Sequence, residues 1–240
     1  MKNLGRIIYA LANIAFGIFN FIWRDSVTLN ISHGRPAIVL LIAALQVLAG
    51  LALFFPLARL YGALTLAIVY IAVGLTAVPF ILKNPRVYAN WGEFFYQLAL
   101  AVGAIILYAL ATQKPQLARI AVIAFALCNL SFAAEQVEFL SGTAELVPHW
   151  VPLSGAFWAW ATTAFFVLAA IGMLTGILAR LAAQLLTAML ILFALLSLLP
   201  VVIAHPHGFF RWTELVETLV TAASAWVVAD YLSSRRKSLT

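Results

Sequence analysis

Glu135 lies about one turn inside the end of a long apolar run. An ionisable group at that depth in lipid is costly, so by default it faces a bundle interior and marks a functional site. Glu138, three residues on, projects from the same helical face. Asp25 closes an earlier apolar run at the matching place and completes an acidic pair. Carboxylates so placed could exchange a proton or serve as counter-ion to a cationic ligand. The structural alternative is that Glu135 snorkels to the interface or pairs with an arginine. Glu93 and Glu214 each follow a tryptophan by two residues, Trp91 and Trp212. They read either as first-turn carboxylates that complement the helix dipole, Asn90 capping and Glu93 closing the box, or as acids at the mouth of an aromatic-walled cavity. His205-Pro206-His207, with His149 and Glu214 or Glu217 nearby, supplies metal-type donors. A spacing of two across a proline does not put both rings on one helical face, and no metal site is expected.

The elements that must hold these residues are membrane spans. Of 240 residues, 65% are hydrophobic and 9% charged, against roughly a quarter charged in soluble domains. A crossing takes about 20 apolar residues in helical form, because lipid satisfies no backbone group. Apolar runs broken by proline, charge and turn residues predict an all-α polytopic membrane bundle of about eight spans. They lie near 4–23, 37–55, 59–82, 93–111, 117–139, 155–178, 180–204 and 214–232. The first run is basic at its start, but its apolar stretch lacks a small-residue cleavage site and reads as a retained span. FPLAR and LTGILAR are short enough to make tight antiparallel hairpins of spans two and three and of spans six and seven. Asn13, Gln46, Asn129 and Gln184 fall mid-span and read as interhelical hydrogen bonds; Gly50, Gly62, Gly172 and Gly176 read as points of close helix approach. The single cysteine, Cys128, allows no internal disulfide.

With eight spans, one face carries Lys2, Arg6, Arg59, Lys114, Arg119, Arg180, Arg235, Arg236 and Lys237, and the other Arg24, Arg35, Lys83, Arg86 and Arg211. The positive-inside rule then places both termini in the cytoplasm of a cell with the protein in its inner membrane. His33, His149, His205, His207 and most tryptophans fall on the opposite, outer side. The net charge of +6 follows from this topology and anionic headgroups, so the partner is the lipid bilayer and no nucleic acid is required.

Sliding the chain on itself by 121 residues sets Ala58-Arg59-Leu60 on Ala179-Arg180-Leu181. In the same register Pro79 falls on Pro200, Pro85 on Pro206, Trp91 on Trp212 and Glu93 on Glu214. Proline, tryptophan and glutamate in one register point to an internal repeat. Upstream, Leu4 and Arg6 meet Leu117 and Arg119, and Asp25 meets Glu138, so the second half carries extra residues that include LVPHWVP. Two parallel four-helix units are expected, 1–112 and 113–240, related by a pseudo-twofold axis along the membrane normal.

LVPHWVP, FWAWATTAFFVLAAIGMLTGILARLAAQLL, HPHGFFRWTEL and AWVVAD resemble the DoxX family of bacterial four-helix membrane proteins, and LQVLAGLALFFPLARLYGA looks like a divergent first copy. The chain carries Gln46 and Val167 where such proteins often have a glutamate, and Glu138-Phe139 where His-Phe is expected. The resemblance implies an accessory or quinone-linked subunit in a redox process, with no intrinsic cofactor, a diffusible quinone, and a redox enzyme or other membrane protein as partner. Two other functions fit the residues: a non-enzymatic binder or transporter of a small hydrophobic or cationic molecule through an external cavity between the repeats, and a packing scaffold. Whether the chain is an enzyme is left open.

Overall fold

A computed structural model describes residues 4–25 and 36–237. Lys2, His33 and Arg35 lie outside the described residues. All regular structure among them is helical: α1 Leu4–Trp23, α2 Pro36–Ala52, α3 Arg59–Leu75, α4 Val78–Lys83, α5 Tyr88–Ala111, α6 Pro115–Glu138, α7 Leu140–Glu145, α8 Gly155–Thr175, α9 Ala179–Phe193, α10 Leu199–Ala204 and α11 Phe209–Lys237. Among the described residues, seven helical segments are long and apolar enough to cross a membrane; the 17-residue α2 is apolar but shorter. Leu11, Leu48, Ile68, Ile120, Leu168 and Leu185 face outward. A soluble protein would hide that much apolar surface, whereas lipid accepts it.

Two helical runs lose regular α-helical geometry before a proline. Pro79 cannot donate to Leu75 and its ring crowds that carbonyl, so α3 ends at Leu75 and α4 restarts at Val78. Before Pro200 the same conflict is absorbed by a π-helical turn, Ala194–Leu198. Both expected hairpins form, α2 against α3 and α8 against α9. Gly176 departs from its expected role: it ends α8 at φ 76°, and a Cβ there would meet nothing within 4 Å. It is the left-handed residue of a helix terminus, not a point of helix contact.

The long helices form a closed ring in the order α1, α2, α3, α5, α6, α8, α9, α11 and back to α1, and α5 and α11 also touch each other. These two run side by side in the same direction, since Gln97 meets Glu217 and Leu100 meets Ser224 further along. Gly103 makes that approach possible, because a Cβ there would lie 2.6 Å from the Tyr9 ring and 2.9 Å from Ser224 Oγ. Below, the near end is the one where α1 begins, and the far end is the one where it finishes.

Candidate functional site

α5 and α11 each start five residues before their first glutamate, at Tyr88 and Phe209. That moves Glu93 and Glu214 into the second turn, and the capping reading does not hold. The residue ahead of α5 is Val87, which makes no side-chain cap bond. Asn90 instead donates from Nδ2 to the carbonyls of Phe80 at 3.2 Å and Asn84 at 3.3 Å, fastening the end of α4 to α5.

In the second turn of α5, the last turns of α6 and the second and third turns of α11, four carboxylates converge. Glu135 lies within electrostatic reach of Glu93 and Glu214, and Glu217 within reach of all three. The helical spacing does this: Glu93, Tyr96 and Gln97 share one face of α5, and Glu214, Glu217, Thr218 and Thr221 share one face of α11. Glu217 is the most enclosed, 7% exposed, with Oε1 accepting from Gln97 Nε2 at 3.5 Å. Oε2 of Glu93 is fully covered and has no hydrogen-bond partner. Glu214 forms an ion pair with Arg211 at 3.0 Å. Tyr96 sits amid the acids, and its ring packs on Phe132 at 5.2 Å. Tyr88 donates to the backbone carbonyl of Ser131, one turn from Glu135.

A buried polar chain runs from this group into the first half of the bundle. Tyr70, within reach of Glu217, donates to Asn13 Oδ1 at 2.5 Å. Gln46 donates to the Tyr70 hydroxyl at 3.4 Å and accepts from Asn20 Nδ2 at 2.9 Å. Asn13 and Gln46 thus make the interhelical bonds expected of them. Asn129 does not: its Nδ2 bonds back to Phe125 of its own helix, and its Oδ1 is buried without a partner. Gln184 lines a cavity at the near end.

The other candidates stand apart from the acidic group. Glu138 is exposed at the last residue of α6, and Asp25 is exposed beyond the end of α1. Trp91 and Trp212 act as loop anchors, each indole N–H donating six residues back, to Pro85 and Pro206, both at 2.9 Å. Trp158 makes the same bond to Pro152 at 2.7 Å. Trp212 has a second contact: with Phe19, Trp23 and His207 it walls the far end of an apolar cavity of about 930 Å³ between α1, α9 and α11. No acidic candidate lines that cavity. His149, His205 and His207 are exposed, and among the described residues no three histidine, cysteine or acidic side chains converge closely enough to hold a metal ion.

Gln97, Tyr70 and Asn20 are residues that sequence reasoning passed over, and Glu217 enters it only as a metal-type donor. The available signal was the polar stripe Glu214, Glu217, Thr218, Thr221 in an otherwise apolar run. Searches against protein families, curated proteins and solved structures find no match to the chain.

Proposed function

We propose that this chain is a membrane binder or carrier of a lipophilic cation, with Glu93, Glu135, Glu214 and Glu217 as its counter-charge. The observation that carries the reading is that four carboxylates from α5, α6 and α11 lie within electrostatic reach of one another inside an apolar bundle, where the ion pair among the described residues is Arg211 with Glu214. Carboxylates that stay ionised inside an apolar bundle are costly unless positive charge stands beside them; otherwise they take up a proton. An organic cation supplies that charge, and the aromatic pair Tyr96 and Phe132 lies beside the acids. Binding of tetraphenylphosphonium to the purified protein in nanodiscs tests this by calorimetry. Removing one partner of a buried charge contact costs about 2–5 kcal/mol, so Glu217→Gln is expected to weaken binding at least roughly thirtyfold. Unchanged affinity in a variant of unchanged helical content rejects the role.

The bundle is further read as eight crossings in two parallel units, 1–112 and 113–240, with both termini on the cytoplasmic side of a bacterial inner membrane. At 17 residues α2 lies at the short end of the spanning range of about 17–25. Support for the duplication is that α4 and α10, and α5 and α11, begin 121 residues apart, with matched Trp-to-Pro bonds. The parallel contact of α5 with α11 is what an axis along the normal would give. Thiols introduced at Lys114 and Arg180 should resist impermeant reagents in intact cells while one at Arg86 reacts; the opposite pattern overturns the orientation.

A second reading keeps the DoxX-like, quinone-linked redox role. It is favoured by the apolar, aromatic-ended cavity between α1 and α11, large enough for a quinone ring. Quinone retained through purification and lost on Trp212→Ala is its expected signature; protein free of quinone and inert to added quinone eliminates it.

A further inference from the structure

A second cavity of about 930 Å³ opens at the near end, where α1 and α9 begin and α5 and α11 finish. Its polar wall carries Arg6 and Arg180, with Gln184 and Thr187 behind them, and its apolar wall carries Leu110 and Leu192. Arg59 lies within electrostatic reach of Arg6. The opposing charge is Asp230, which faces Arg180. One of its oxygens already accepts the Gly5 N–H at 3.0 Å, at the start of α1. Arg6 Nε is fully covered and has no hydrogen-bond partner, and neither Arg6 nor Arg180 has a carboxylate at ion-pair distance among the described residues. Two guanidiniums in the cavity wall, near the starts of α1 and α9, with Arg59 close to Arg6 and one committed carboxylate opposite, make a place for an anion.

The shape says which kind. Ile191 and Trp226 line both this cavity and the apolar one that runs between α1, α9 and α11 toward the far end. A pocket with a basic wall therefore adjoins an apolar groove, with Ile191 and Trp226 shared between them. We propose that the two together hold one anionic phospholipid, its phosphate between Arg6 and Arg180 and an acyl chain along Ile191 and Trp226. A basic pocket between spans is the arrangement that selects anionic headgroups in the bilayer. A water-soluble phosphate would leave the groove unused. The site is independent of the cation reading, since it shares no residue with the acidic group.

Native mass spectrometry of the detergent-solubilised protein, titrated with phosphatidylglycerol, phosphatidylcholine or glycerol phosphate, tests the proposal. Each basic side chain at a membrane surface contributes about 1 kcal/mol toward anionic lipid, so the wild type is expected to prefer phosphatidylglycerol to phosphatidylcholine roughly tenfold or more. Arg180 is exposed, so Arg180→Gln should fold and lose about fivefold of that preference. Arg6→Gln with Arg180→Gln should abolish the preference, the double lysine variant should keep it, and Arg119→Gln, at the same end but outside the cavity, should leave it unchanged. Equal affinity for the two lipids overturns the site, as does a preference that Arg180→Gln leaves undiminished. Glycerol phosphate binding as tightly as phosphatidylglycerol overturns the lipid in favour of a free phosphate.

Discussion

Leucine at Gly17 or Gly50 should cost the folded protein roughly 3 kcal/mol or more, the sum of overpacking at about 1–3 kcal/mol and the buried hydrogen bonds that would break with it. The two glycines interlock α1 with α2. A Cβ on Gly17 would lie 2.8 Å from the carbonyl oxygen of Ala43 and 2.6 Å from Val47 Cγ2. One on Gly50 would lie 3.0 Å from the carbonyl oxygen of Ala10 and 2.8 Å from Ile14 Cγ1. Backbone is on the far side in both cases, and backbone cannot step aside as a flexible side chain can. Pushing the helices apart also separates Asn20 from Gln46, bonded at 2.9 Å, and strains the Asn13–Tyr70 bond that closes the same network. Thermal unfolding followed by tryptophan fluorescence in one detergent reads the loss. Gly142 is the control, because a Cβ there meets nothing within 4 Å, and leucine at such an open site should move stability by less than about 0.5 kcal/mol. If Gly17→Leu unfolds with Gly142→Leu, close backbone contact does not hold α1 to α2.

The helices were legible because lipid imposes one rule over long stretches: apolar side chains outward and backbone bonds satisfied within the segment. Hence FPLAR and LTGILAR marked real hairpins, and the apolar runs marked real helices. The ends were harder where aromatic and charged residues mix. Phe209, Phe210, Arg211 and Trp212 read as a loop rim, yet Trp212 is tied back to Pro206 from inside the first turn of α11. That shift of one turn turned Glu214 from a first-turn carboxylate into a half-buried member of a group and hid Glu217 behind it. Which carboxylates meet depends on how α5, α6 and α11 are rotated against one another, and no single-helix pattern encodes rotation. Glu135 was legible alone because depth in lipid is a property of one helix; its partners were not. Gln46 and Asn129 show the same limit. Both are mid-span amides, but Gln46 faces two polar neighbours across the ring, whereas Asn129 Oδ1 faces none.

Glu93→Lys should abolish binding of a lipophilic cation and raise the unfolding temperature together. Glu93 acts on both Glu135 and Glu217, and its covered oxygen has no partner to lose. An ammonium at this partly exposed position would stand opposite those acids and supply from within the chain the positive charge that a ligand brings. Opposite charges at about 4 Å gain roughly 4 kcal/mol at an effective dielectric near 20, which sets the scale of the stabilisation. Glu93→Gln removes one negative charge and adds no positive one, so it should fall between. The expected order of stability is Glu93→Lys above Glu93→Gln above wild type, and the order of tetraphenylphosphonium affinity is the reverse. A structural role for the carboxylates gives the opposite stability order, because each substitution would then break a contact the fold relies on. Scanning fluorimetry with and without the cation separates the two: wild type gains stability from the ligand, by RT ln(1 + [L]/Kd), and Glu93→Lys, carrying its cation already, should gain none. A lysine variant less stable than wild type but still stabilised by the ligand would mean the acids hold the helices together and the cation binds elsewhere.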